Sequence, residues 1–181
     1  TFGRILAEVG LQITSYGLFW RSDDVDWFPG QGKRKEFRLL GRIGQNRPGI
    51  RVADFRFQQG IYILYDQYGP AYVGLAAGER LGQRLKDHLE DQHAQKWDRF
   101  SWFGFNQVKA EPDADGVHGL LAPRSDVTDD TTTTIRDLEA LLIRAMGPKL
   151  NVNRMSFVNA EEWVQVSWWE WVETYRARIG S

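Results

Sequence analysis

Between Gly60 and His88 the chain reads GIYILYDQYGPAYVGLAAGERLGQRLKDH, and this stretch constrains the fold more tightly than any other. Ile61, Tyr62, Ile63, Leu64 and Tyr65 are rich in β-branched and aromatic side chains, which is the composition of a strand. Asp66 to Pro70 supplies turn residues, and Ala71 to Gly74 resumes as a second strand, so the two pair as antiparallel neighbours. Tyr62 and Tyr72 thereby enter one neighbourhood. After them Leu81, Leu85 and Leu89 recur every fourth residue, the spacing of an apolar stripe on a helix. At about 100° per residue, Arg84 and His88 flank that stripe on one side.

A second helical pattern lies in TTTTIRDLEALLIRAM, where Ile135, Leu138, Leu142, Ala145 and Met146 mark one face. Thr134 and Asp137 have the spacing of a capping pair at its start. Glu139 falls on the apolar face. An ionised carboxylate buried among apolar neighbours is costly unless it is paired or bound to a metal. Two readings follow: a glutamate at the edge of the face, reaching water or pairing with Arg136 or Arg84, or a metal ligand.

These residues together resemble the GIY-YIG nuclease family. The two name motifs stand as Gly60-Ile61-Tyr62 and Tyr72-Val73-Gly74, one hairpin apart, and Arg84, His88, Glu139, Pro148 and Asn151 follow in the family's order. The resemblance covers residues 57–153. It implies an α/β fold, a small domain with a three-stranded, mainly antiparallel sheet flanked by helices, here carrying an N-terminal extension. The aromatic run Phe100, Trp102, Phe103, Phe105 would be the third strand, its rings filling the core.

The implied activity is hydrolysis of nucleic-acid phosphodiesters, with DNA ahead of RNA as substrate. Its implied catalytic set is Tyr62, Tyr72, Arg84, His88, Glu139 and Asn151. Glu139 would hold one Mg²⁺ or Mn²⁺ with waters completing the octahedron. Arg84 would clamp the phosphate, and Asn151 would orient it or serve structurally. Tyr62, helped by His88 or Tyr72, would take the proton of the attacking water. Because a tyrosine with its ordinary pKa near 10 is a poor base, Arg84 and the metal would have to favour its phenolate. Which of Tyr62, Tyr72 and His88 is the base stays open. Gly74 and Arg80 would contact the nucleic acid. Where many relatives place a lysine or small polar residue, this chain has Leu75, Ala76, Ala77 and Gly78, so Arg80 or Lys86 would have to replace it.

The chain has 181 residues, 42% of them hydrophobic, enough for one good core with extensions. The expected divisions are an N-terminal extension over 1–56, the nuclease core over 57–153 and a tryptophan-rich amphipathic helix over 154–181. The last rests on the helical spacing of Val164, Trp168, Trp171, Val172, Tyr175 and Ile179. No apolar run approaches the roughly 18 residues needed to span a bilayer, and no leader pattern opens the chain, so a soluble, cytoplasmic protein without membrane contact is expected. The starting Thr1 fits either an excised piece or a lost initiator methionine. Absence of cysteine rules out disulfides and Cys-based zinc modules.

Net charge is −1 but unevenly spread. Residues 33–56 hold eight basic side chains against two acidic ones, and 111–130 hold six acidic against one basic. The first segment reads as a basic arm for phosphates, with Arg34, Arg38 and Arg42 its binding candidates, against the alternative of a solvated surface. Residues 110–133 read as a long acidic loop. His93 and His118 lack partners at metal spacing and read as surface residues. A site with one phosphate clamp cuts one strand, so double-strand cleavage would need a second copy or a protein partner. The competing readings are a non-catalytic nucleic-acid-binding or partner-docking module, and an RNA-cleaving effector.

Overall fold

Gly60 opens its strand for a steric reason: a Cβ there would collide with the Phe103 carbonyl of the neighbouring strand, so only glycine lets the two backbones close. The computed structural model describes residues 13–30, 36–44, 49–76, 78, 80–122, 131–146, 157 and 160–175, with backbone alone for 131–136, 138 and 139. Its strands are β1 (Ser15–Arg21), β2 (Leu40–Ile43), β3 (Arg51–Asp54), β4 (Gly60–Asp66), β5 (Gly69–Ala76), β6 (Arg99–Gly104), β7 (Val108–Pro112), β8 (Val117–Leu120), β9 (Glu161–Glu162) and β10 (Val164–Gln165). Its helices are α1 (Leu81–Asp87), α2 (Thr131–Met146) and α3 (Trp168–Glu170), the last continuing as a π-helical turn over Trp171–Tyr175.

The strands form two five-stranded sheets, ordered β5-β4-β6-β1-β9 and β10-β2-β3-β8-β7. Both are mixed, because β1 and β9 run parallel in the first and β3 and β8 run parallel in the second. The hairpin between β4 and β5 places Tyr62 opposite Gly74 and Leu64 opposite Tyr72, and β6 pairs antiparallel on the other edge of β4.

Strand alternation distributes the core. Tyr62 and Leu64 point to one side of the first sheet, while Ile63 and Tyr65 point to the other. Between the sheets lies an aromatic cluster: Phe55 packs on Trp102 at 4.4 Å, on Trp163 at 5.0 Å and edge-on to Trp20 at 6.1 Å. A Cβ at Gly41 of β2 would lie 2.8 Å from the Trp20 ring, so the second sheet rests directly on that indole. On the outer face of the first sheet, Ala140, Leu141 and Ala145 of α2 cover Ile63, Tyr65 and Phe103. On the outer face of the second, Trp171 and Tyr175 cover Leu40, Val52 and Val117. The layers run helix, sheet, sheet, helix, and α1 closes the β4–β5 end of the inter-sheet core with Leu81 and Leu85.

One bulge makes this arrangement work. Tyr16 and Trp20 are four residues apart and would share a face in a regular strand, yet Tyr16 packs toward α2 and Trp20 between the sheets. The β1–β6 register shifts between Gly17 and Trp20, and Phe19 sits at φ 52°, which turns the second half of β1 over.

The expected fold class is overturned. Instead of a small α/β domain with a three-stranded antiparallel sheet flanked by helices, the described residues are mostly β, with two mixed five-stranded sheets and three short helices. The cause is strand supply from segments read as peripheral. β1 comes from the expected N-terminal extension and lies inside the first sheet beside β6. Much of the expected acidic loop is the β7–β8 hairpin, closed by Asp113 Oδ1 accepting from the backbone N–H groups of Asp115 and Val117. The expected C-terminal helix is divided: β9 and β10 join different sheets, and Trp163 between them is buried in the aromatic core. Among the described residues no helix is long and apolar enough to cross a membrane.

Candidate active site

Tyr62 is held by what surrounds its ring. Its partner across the hairpin is Gly74, where a Cβ would collide with the Tyr62 ring and hydroxyl. The glycine of the second motif is therefore a space for the tyrosine of the first. α1 is docked on the same side, because Leu81 N–H donates to Gln58 O at 3.0 Å and Gly82 N–H to Arg56 O at 2.8 Å. Its stripe of Leu81 and Leu85 is buried, and His88 follows as the C-terminal cap. Trp97 Nε1–H donates to the His88 carbonyl at 3.2 Å, fixing that end.

The imidazole of His88 then meets Tyr62, with Oη 2.7 Å from Nε2. Its other nitrogen, Nδ1, lies 2.7 Å from Asp91 Oδ2. A carboxylate only accepts, so Nδ1 carries the proton of the neutral ring, and Nε2 is left to accept from the Tyr62 hydroxyl. The result is a directed chain from Tyr62 through His88 to Asp91. Tyr72 packs against it, its ring 6.1 Å from Tyr62 and 5.1 Å from His88. Arg84 is exposed one turn before His88, and its positive charge favours the ionised Tyr62 oxygen.

Burial pushes the Tyr62 hydroxyl up to about 12, with Tyr72 adding to the rise and Arg84 opposing it. Arg84 by itself does not hold Tyr62 as phenolate. At a pKa of about 12 only about one molecule in 10⁵ carries phenolate at neutral pH, so Tyr62 needs an acceptor for its proton, and His88 is positioned to be one. At Asp91, desolvation works against ionisation, but hydrogen bonds from the His93 backbone N–H and the His88 ring, with the positive charge those imidazoles can carry, hold the carboxyl below its usual range.

Tyr62, Tyr72, Arg84, His88 and Gly74 thus come together. α2, which carries Glu139, packs on the opposite face of the first sheet from Tyr62. Among its described side chains Asp137, Ala140, Leu141 and Ala145 are buried, while Leu142 and Met146 of the expected apolar face are exposed. Position 139 lies about 160° around the axis from Leu141. Asn151 and Arg34 lie outside the described residues. The Mg²⁺ or Mn²⁺ expected on Glu139 finds no matching donor set among the described residues beside Tyr62. The donors gathered there are two imidazoles and one carboxylate, whereas Mg²⁺ requires oxygen ligands in near-octahedral geometry.

Of the expected phosphate-binding arginines, Arg38 and Arg42 are engaged within the fold. Arg38 pairs with Asp115 at 3.0 Å and Asp113 at 3.9 Å, and Arg42 Nη1 donates to Gly44 O at 2.6 Å. Arg80 lines a cavity of about 750 Å³ with Arg56, Phe57, Gln83 and Lys86. Gln83 and Lys86 lie on the other flank of α1 from Arg84 and His88, so this cavity is separate from the Tyr62 site.

Two histidines are placed differently from the surface positions expected. His118 is buried in β8, its Nδ1 2.9 Å from Lys109 O. His93 stacks on Tyr72 at 4.4 Å and lies near His88 at 5.1 Å. Donor atoms of His88, Asp91 and His93 all lie within 4.8 Å of one another. The signal in the sequence was the spacing His88-x-x-Asp91-x-His93, which begins at the helix end and continues through the turns that follow.

No family model, no curated protein and no solved structure matches this chain. The residues alone carry the functional inference.

Proposed function

We propose that the protein is an endonuclease of GIY-YIG type in its chemistry, hydrolysing phosphodiester bonds of DNA by water attack. The observation that carries this reading is the buried 2.7 Å contact from Tyr62 Oη to His88 Nε2, backed by Asp91 on the far nitrogen. As water attacks phosphorus, its proton passes to the Tyr62 oxygen while the Tyr62 proton passes to His88 Nε2, and the bond from phosphorus to the leaving sugar oxygen breaks, that oxygen taking a proton from solvent. Asp91 steadies the imidazolium that forms, the role a carboxylate plays behind a catalytic histidine in general. Arg84, whose guanidinium fork matches two phosphate oxygens, binds the scissile group and stabilises its developing charge. Tyr62 is fully buried in the free protein, so Tyr72 and Arg84 shift to admit the phosphate. The motif resemblance supports nucleic acid as the substrate class.

The deciding experiment incubates supercoiled plasmid, linear duplex, single-stranded DNA and RNA with the purified chain in Mg²⁺, Mn²⁺ or EDTA. Nicked circles should appear first, with linear product late, because one clamp serves one strand. Cleavage that stops in EDTA and again in Glu139→Ala supports an ion held at Glu139; cleavage that persists in both assigns the charge stabilisation to Arg84. Faster turnover of RNA would reassign the substrate. DNA binding without product under every condition overturns catalysis in favour of a binding module.

Gly74→Ala tests the geometry. Its methyl group must displace the Tyr62 phenol, and a misplacement of about 1 Å at a reacting group can cost about 10²-fold in rate. A drop of that size in single-turnover cleavage is expected, with a stability loss of about 1–3 kcal/mol from overpacking. Unchanged cleavage by a folded variant would remove Tyr62 from the proton path.

A further inference from the structure

We infer that His88 Nδ1, Asp91 and His93 form a binding site for a borderline divalent transition ion such as Zn²⁺, and that the bound ion withdraws His88 from its role as proton acceptor. The consequence for catalysis rests on the proton path proposed above; the site itself does not.

Two imidazoles and one carboxylate are a common protein set for Zn²⁺, with solvent in the fourth position, and a poor one for Mg²⁺. The donor atoms already lie within 4.8 Å of one another. Ordinary zinc–ligand bonds of about 2.0–2.2 Å place tetrahedral neighbours about 3.3 Å apart, so closure requires movement on the order of 1 Å. Asp91 and His93 follow the end of α1 in a run of turns whose backbone is held by Asp91 N–H to Asp87 O and Ala94 N–H to Asp91 O, so the movement falls to their side chains. Asp91 Oδ1 stays tied to the His93 backbone N–H at 2.7 Å, which orients the carboxylate and leaves Oδ2 for the ion once it parts from His88.

The switch follows from the tautomer. With Asp91 on Nδ1–H, Nε2 accepts from Tyr62. With metal on Nδ1, the ring stays neutral and its one proton relocates through solvent to Nε2. Nε2–H then donates to the Tyr62 oxygen and can no longer take its proton. Metal and proton acceptance exclude each other at a single ring.

The test titrates the metal-free chain with Co²⁺, then Zn²⁺, following visible d–d absorption and the ¹⁵N shifts of the histidine side chains by NMR. One equivalent of Co²⁺ should give tetrahedral absorption that Zn²⁺ abolishes and excess Mg²⁺ does not. His93→Ala should weaken binding by roughly 100-fold or more, since even residues that merely orient a ligand cost about 10–100-fold. Asp91→Asn, which keeps the shape, should do the same and serves if the alanine variant fails to fold. In the loaded protein His88 should show metal on Nδ1 and a proton on Nε2. Absence of absorption, unchanged affinity in both folded variants, or an unprotonated Nε2 with metal bound would overturn the inference. Nuclease assays are then read against each variant's own rate without Zn²⁺ under the same Mg²⁺ or Mn²⁺ conditions, with Zn²⁺ inhibition lost in His93→Ala. A chain that binds Co²⁺ as described yet never cleaves DNA counts against the nuclease reading and leaves the site standing.

Discussion

Tyr62→Phe should lower single-turnover cleavage by about 10³-fold, within the range that general acid–base groups contribute. The substitution keeps the ring that Gly74 and Tyr72 enclose and removes only the hydroxyl that meets His88 Nε2 at 2.7 Å. His88→Ala should cost a similar factor, because it removes the acceptor to which the Tyr62 proton goes. Groups that act as one unit are not additive, so the double variant should be no slower than the worse single one. Leaving the buried His88 nitrogen without its donor costs about 1–3 kcal/mol, so circular dichroism and thermal melts must accompany the rates to separate chemistry from folding. A phenylalanine variant that cleaves at full rate, or a double variant whose losses multiply, would break the proposed relay.

Trp163→Ala should destabilise the protein by about 3–5 kcal/mol, as large-to-small changes at buried tryptophans do. The indole is fully buried and packs on Phe55 at 5.0 Å, while the Trp163 backbone carbonyl, which the variant keeps, accepts from Trp20 Nε1–H at 3.2 Å. It therefore joins both sheets to each other. At roughly 2–4 °C per kcal/mol for a chain of this size, the melting temperature should fall by about 6–20 °C. Trp169, 55% exposed and packed on Trp168 at 3.8 Å, is the control, and its alanine variant should stay within about 0.5 kcal/mol of the parent. Urea melts of both decide it. Equal losses would mean that the C-terminal tryptophans behave as one helical face, and would contradict the two-sheet core.

What the sequence determined by itself is what depends on neighbours in the chain. The hairpin of β4 and β5 and the start of α1 follow from strand composition, turn residues and a four-residue leucine repeat, all of which act over one or two turns of backbone. That Arg84 and His88 flank one stripe is legible in the local pattern; that they meet Tyr62 was implied only by the motif resemblance, because it depends on α1 docking through Leu81 N–H to Gln58 O and Gly82 N–H to Arg56 O. Tertiary structure decided the rest, because pairing between distant strands leaves little mark on local pattern. β1 pairs with β6 some eighty residues away through a bulge at Phe19, which no periodicity announces. In α2, apolar residues surround much of the helix, and contact with the first sheet chose the face of Leu141 and Ala145 over that of Leu142 and Met146. The basic character of residues 33–56 was plain, but Arg38 is paired with Asp115, separated from it by 77 positions, and a charge count along the chain cannot see that. His93 carried no signal that outweighed an ordinary surface reading until the turns after α1 set its ring against Tyr72 and beside His88.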